Sequence, residues 1–246
     1  MTVRGHFVSD LHLFSRRSSG LERWNEWWAD AEQADLLVLG GDIFDFRWSR
    51  LQNLSETLFA AQKWLEELLA EHSHGKVVYL LGNHDCAPEF QSVLDQIAEQ
   101  YTRFEWAHEV WQSGDCIFLH GDILDAGKSS KDLARYRGSF HEAIPRGKVA
   151  NTLYDIVVQS RLHRVPPRIR HRPKVVCKNL SQYLSRMHDC DLSKATQVYF
   201  GHTHVPMLGF EYDTVKFYNA GSGVRHMGFS PHSFISQIPT SDSRTR

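Results

Sequence analysis

The stretch Leu36-Leu37-Val38-Leu39-Gly40-Gly41-Asp42-Ile43-Phe44-Asp45 decides the reading of the fold. Four consecutive apolar residues without alternation, closed by two glycines, describe a short strand buried on both faces. Such a strand belongs in a sheet covered by helices. The Gly41-Asp42 that ends it puts a carboxylate at a strand's C-terminal end, where open α/β sheets collect their ligands.

Working outward, the same grammar repeats. Residues 3–9 read as a strand, and residues 21–34 carry Leu21, Trp24, Trp27, Trp28 and Ala31 at helical spacing. Residues 51–71 predict a long amphipathic helix with Leu54, Leu58, Ala61, Leu65, Leu68 and Leu69 on one face. Residues 77–81 form another buried strand, and Pro88 opens a helix running to about Tyr101. Residues 110–111 and 116–119 suit a hairpin around Ser113-Gly114-Asp115. Residues 130–186 predict several helices, broken at Pro145, Pro166-Pro167 and Pro173. Strands return at 197–200, 208–212 and 215–218, and the polar tail from Pro239 is expected to fray. The 246 residues read as a single α/β domain, 1–246, with a basic helical insertion or cap at about residues 128–192.

Charge is uneven. The chain's formal net charge is only −1, yet between Lys128 and Lys178 thirteen basic residues face three acidic ones. That segment favours a polyanionic substrate or surface, unless it is simply a solvated helical face. The four cysteines form no C-x-x-C pair, which excludes a zinc ribbon and fits reduced thiols. No apolar run reaches the roughly 20 residues of a membrane span. The opening residues show no signal-peptide pattern, so a cytoplasmic location is expected, with peripheral contact at the inner face of a membrane as an extension.

Five short segments, each directly after a strand, hold metal-ligand side chains. They are Asp10-Leu11-His12, Gly41-Asp42-Ile43-Phe44-Asp45, Gly82-Asn83-His84-Asp85, His120-Gly121-Asp122 and Gly201-His202-Thr203-His204. Taken singly, each is ordinary turn chemistry. Five in order, all at strand ends, are not. If the segments stay extended, residues two apart point the same way, so Asp10 and His12 can reach one ion and His202 and His204 can do likewise. Carboxylate, amide and imidazole donors suit Mn²⁺, Fe²⁺ or Zn²⁺.

The order of these motifs resembles the calcineurin-like metallophosphoesterase family, whose pattern is D-x-H, G-D-x-x-D, G-N-H-[DE], a lone histidine and G-H-x-H. The resemblance implies two mixed β-sheets in a sandwich flanked by helices. It implies two divalent metal ions, Mn²⁺ first among the candidates, with Fe or Zn as alternatives. One ion would take Asp10, His12, Asp42 and His204; the other would take Asp42, Asn83, His120 and His202. Asp42 would bridge both. His84 would face the substrate as the catalytic histidine, and Asp45 and Asp85 would orient ligands unless they are plain turn residues. The implied reaction is direct attack of activated water on a phosphoester or phosphoanhydride, without a covalent phospho-enzyme.

The substrate stays open among several readings. The stretch Gly41 to Trp48, the His120-Gly121-Asp122 element and the helical insertion resemble the bacterial UDP-2,3-diacylglucosamine pyrophosphohydrolases. That likeness implies a nucleotide-linked lipid, with Leu153, Ile156, Val157, Val158 and Leu162 lining a cap or simply packing helices. One departure stands: that branch usually has arginine in its G-N-x-D motif, where this chain has His84. The alternative is a nucleotide or nucleic-acid phosphodiesterase in which Tyr136, Phe140 and Tyr154 stack bases among the basic residues. In these readings the basic insertion meets a diphosphate, an anionic membrane surface or nucleic acid. A third class, a catalytically silent metal-binding or scaffolding module, would be favoured by a lost ligand, and none is lost.

Overall fold

The computed structural model describes residues 2–141, 158 and 169–237. Two five-stranded mixed sheets face each other, in orders β10-β1-β2-β3-β4 and β5-β6-β7-β9-β8. The first sheet contains β1 (Thr2–Val8), β2 (Leu36–Leu39), β3 (Lys76–Leu80), β4 (Phe104–Ala107) and β10 (His232–Gln237). The second contains β5 (Val110–Ser113), β6 (Cys116–Leu119), β7 (Gln197–Phe200), β8 (Met207–Tyr212) and β9 (Val215–Asn219). In the first sheet β1 through β4 run parallel and β10 closes the edge antiparallel to β1. In the second, β6, β7 and β9 run parallel, flanked by antiparallel β5 and β8.

The side-chain period of two explains why β2 is apolar throughout. Leu36 and Val38 turn inward to the seam between the sheets, against Phe7, Phe118 and Tyr199. Leu37 and Leu39 turn outward, where α1 (Gly20–Ala31), α2 (Leu54–Glu71) and α3 (Pro88–Gln100) bring Trp24, Leu65, Leu68, Phe90 and Leu94. On the far face of the second sheet, Ile117, Leu119, Val198 and Phe200 pack against Leu133 of α5 (Ser130–His141). The same face receives Val176, Cys177 and Leu180 of α6 (Pro173–Leu184). A single turn, α4 (Ile123–Ala126), precedes α5. The layers are thus helices, sheet, sheet, helices.

Boundaries differ from the sequence reading where local chemistry intervenes. The helix expected from residue 51 begins at Leu54, because the Asn53 side chain accepts from Glu56 N at 2.9 Å and caps it. Two strands were not expected. β4 is four residues long and carries Glu105 and Trp106 half-buried. β10 alternates buried and exposed positions, but two of its buried residues are His232 and Ser236, so it shows no apolar stripe. Of residues 128–192, α5 and α6 are described and Val158 is buried. Leu153, Tyr154, Ile156, Val157, Leu162 and the basic residues Arg146, Lys148, Arg161, Arg164 and Arg168 lie outside the described residues. No helix among the described residues is long and apolar enough to cross a membrane.

Candidate metal centre

All five ligand segments leave their strands at the same edge of the sandwich: after β1, β2, β3, β6 and β7. The loops are stitched together by backbone bonds. Asp10 N donates to Gly41 O at 3.0 Å, His12 N to Asp42 O at 2.9 Å, and Gly201 N to His120 O at 2.8 Å. They do not stay extended. Asp10, His12, Asp42, His202 and His204 all have positive φ, between 49° and 62°. Non-glycine residues seldom adopt this conformation, and its clustering in one place marks a functional loop set.

Two glycines are required by close approach. A Cβ on Gly82 would lie 2.2 Å from Asp42 Oδ1, and one on Gly201 would lie 2.2 Å from Asp10 Oδ2. The glycine of each motif therefore leaves room for a neighbouring segment's carboxylate.

Ligand-type atoms gather in three groups: Asp10, His12 and His204; Asp10, Asp42 and His120; and His12, Asp42 and His84. His204 Nε2 is 3.2 Å from Asp10 Oδ1 and 3.2 Å from His12 Nε2. His120 Nδ1 donates to Gly40 O at 2.9 Å, which turns its Nε2 toward Asp42 Oδ2, 3.4 Å away. That contact is longer than a good hydrogen bond, and His120 Nε2 is buried without a hydrogen-bond partner. Asn83 Oδ1 is orphaned in the same way. Buried polar atoms are rarely left so, unless an ion or water belongs there. A backbone-anchored imidazole with its other nitrogen aimed at carboxylates is also the usual arrangement of a metal ligand. The donor set thus fits divalent cations.

His202 takes a different direction from His204. Because both sit at positive φ, the extended alternation expected from the sequence does not hold, and the two rings diverge. His202 Nε2 is 3.1 Å from Asp125 Oδ2, while its ring stands edge-on to His120 at 5.4 Å. None of the three groups includes it.

Asp45 accepts from His84 Nδ1 at 3.0 Å and from Trp48 N at 2.9 Å. This leaves Nε2 as the nitrogen His84 can offer. Asp85 instead holds the turn: it accepts from Ile43 N, Gly82 N and Tyr79 Oη at 2.8, 2.7 and 2.6 Å.

Electrostatics follow from crowding carboxylates and imidazoles out of water. Burial would raise the Asp42 carboxyl, but His120 and the other imidazoles hold it well below the usual range. Burial would lower His12 and His120, but facing carboxylates win. Asp45 with Asp42 lifts His12 to about 9, and Asp42 lifts His120 to about 10. His84 is raised as well: burial opposes this, but Asp45 and Asp42 prevail. His204 is lowered, since burial there outweighs its bond to Asp10. Burial, followed by the Asp42 charge, pushes Asp85 up to about 6.

Sequence reasoning missed several supporting residues. Arg137 of α5 is buried and grips Asp122 through Nε at 2.7 Å and Nη2 at 3.0 Å. The same guanidinium donates to Leu81 O at 2.7 Å, tying α5 to the end of β3. The helix then lays Phe140 against His84 at 5.4 Å and Tyr136 near His202 at 6.4 Å between ring centroids. Asn219, at the end of β9, donates to Gly201 O at 2.7 Å, and Ser222 Oγ donates to Asp10 O at 3.1 Å. The Asn219-Ala220-Gly221-Ser222 turn was a visible signal; nothing in the sequence singled out Asp125 or Arg137.

A family model described as calcineurin-like phosphoesterase matches residues 5–206. One similar solved structure is that of YfcE, a phosphoesterase from E. coli, at 17% identity and a TM-score of 0.41, covering 89% of this chain and 80% of that one. Among curated proteins no match was found.

Proposed function

Because the chain belongs to the calcineurin-like phosphoesterase family, and is thereby a metal-dependent phosphoesterase, we propose that Asp10, His12, Asp42 and His204 hold one divalent ion. Asp42, Asn83, His120 and His202 hold the second in this reading, which treats residues 128–192 as an insertion in one domain. The observation that carries the proposal is the convergence of five strand-end segments on Asp42, with Asn83 Oδ1 and His120 Nε2 buried and unpartnered beside it. Two divalent ions, when bound, neutralise phosphate charge and make water a nucleophile near neutral pH.

The chain's own residues then do three things. Asp42 would serve both ligand sets, since its carboxylate gathers with His12 and His84 and with Asp10 and His120. His84, held at Nδ1 by Asp45, presents Nε2, from which a proton would pass to the leaving oxygen. Phe140 and Tyr136 cover two edges of the cluster and limit water.

For the substrate, we favour the phosphoanhydride of a nucleotide-linked lipid, with the insertion as a cap and Mn²⁺ as the ion. The enzyme would work in the cytoplasm, its basic insertion against an anionic membrane face. A nucleotide or nucleic-acid phosphodiesterase is the competing reading, and Tyr136 and Phe140 at the site edge support base stacking. Hydrolysis by chelator-stripped protein, with Mn²⁺ added back, tests the activity on generic esters, nucleic acid and a UDP-linked acyl sugar. Restored turnover and a roughly 10²–10⁴-fold loss in His84→Ala are expected. Absence of bound metal and of turnover on every substrate would sink the proposal.

A further inference from the structure

We propose that Arg47 grips a second anionic group of the substrate, one phosphoryl unit from the scissile phosphorus, and so selects diphosphates over simple monophosphates. This deepens, and rests on, the phosphoesterase reading above.

Arg47 lies in the loop after β2, two residues past Asp45. Its guanidinium carbon sits 4.5 Å over the Phe140 ring and 6.0 Å from the Trp48 ring centroid. Phe140 in turn meets the His84 ring at 5.4 Å. Arg47 is therefore on the His84 side of the centre, where the leaving group departs in the proposed mechanism.

Its surroundings differ from those of Arg137 and Arg170. Arg137 is paired with Asp122, and Arg170 Nη2 is 2.9 Å from Asp125 Oδ1. No carboxylate among the described residues lies within ion-pair distance of Arg47. Its Nε is buried with no hydrogen-bond partner. A guanidinium so placed is costly unless something fills the donor.

The aromatic contacts also set what that something is. A guanidinium whose carbon lies over an aromatic ring keeps its rigid N–H fork, a geometry that matches two oxygens of a phosphate. The contacts hold the side chain in place, so little rotamer freedom is lost when an anion arrives. A monophosphate has all its charge at the metal centre and leaves Arg47 without a partner. A diphosphate carries a second phosphoryl group to satisfy it.

Calorimetric titration of the full, Mn²⁺-loaded protein tests this, with Mn²⁺ in excess. The probes are methylenediphosphonate, a non-hydrolysable diphosphate, and orthophosphate. Wild type is expected to prefer the diphosphonate by roughly tenfold or more, the value of a charge-assisted pair. Arg47→Met, which keeps the aliphatic stem, should lose that preference while orthophosphate affinity stays within about twofold. Arg47→Lys should keep part of it, since charge remains but the fork does not. Equal losses for both probes, or an undiminished preference in Arg47→Met, overturn the assignment. Phosphate-ester turnover by wild type, run alongside, separates the failures. Turnover without a diphosphonate preference overturns the role of Arg47 alone; no turnover on any ester overturns both.

Discussion

The two halves of the proposed metal centre are built differently. Around Asp10, His12 and His204 the side chains largely partner one another: His204 Nε2 lies 3.2 Å from both Asp10 Oδ1 and His12 Nε2, Asp10 also accepts from His202 N at 3.0 Å, and one atom, His12 Nδ1, is buried without a hydrogen-bond partner. Around Asn83, His120 and His202 they do so less. Asn83 Oδ1 and His120 Nε2 are buried and unpartnered, and His202 Nε2 is turned to Asp125. Unpaired buried polar atoms cost about 1–3 kcal/mol each. The second half thus carries two such atoms, Asn83 Oδ1 and His120 Nε2, against one, His12 Nδ1, in the first. The difference teaches that the first side leans more on protein contacts and the second more on its ligand.

Asp42→Ala breaks the comparison most completely, because Asp42 belongs to both halves. Turnover should fall by roughly 10³-fold or more, with metal content well below two ions per chain by elemental analysis. Unchanged metal content would remove Asp42 from the centre.

The glycine contacts sharpen the comparison at the next scale. Gly201→Ala drives a Cβ against Asp10, which serves the first half; Gly82→Ala drives one against Asp42, which serves both. Overpacking of this kind costs about 1–3 kcal/mol, so both variants should melt earlier. Metal content separates them: Gly201→Ala should keep one ion, and Gly82→Ala should lose both. Identical stoichiometry in the two variants would mean the halves are not separable.

Much of this was legible in the sequence because strand ends announce themselves. The run Leu36–Leu39 followed by Gly41-Asp42 reads the same way in sequence and in structure, and so do residues 77–81 before Gly82-Asn83. What failed was the assumption of extended geometry. Positive φ at Asp10, His12, His202 and His204 comes from inter-loop bonds such as His12 N to Asp42 O, which join residues thirty apart in sequence. No local pattern encodes that. Asp125 and Arg137 were invisible for a related reason. Each sits on a helix with ordinary composition, and its importance comes only from where α4 and α5 dock. β10 escaped because a buried histidine and serine hide its period.

Proton linkage gives a third, smaller test. His12, at about 9, and His120, at about 10, are raised above the ordinary imidazole value of 6.5. In metal-stripped protein their charges therefore stabilise the fold fully below pH 6.5, and that contribution fades as pH rises through 9 to 10. A cation must displace the same protons, so its affinity should climb with pH across that window, by up to about tenfold per unit for each proton released. Calorimetry at pH 7 in buffers of different ionisation heat counts the protons directly. Zero release would show that neither imidazole gives up a proton to the ion.

The smallest expected effect bears on His202, the ligand candidate that points away. Any cation taken through His202 Nε2 must compete with Asp125 Oδ2, which holds that nitrogen at 3.1 Å. Such a hydrogen bond is worth about 1 kcal/mol net, somewhat more if charged. Asp125→Ala removes the competitor, and Arg170, its other partner, is exposed enough to find water. Affinity for the second ion should then tighten by roughly fivefold while the first is unaffected. If Asp125 instead orients the ring for the ion, the same substitution weakens the second ion by about 10- to 100-fold, as removal of an orienting partner does. The sign of one binding constant thus decides whether the second half is held back by Asp125 or built upon it.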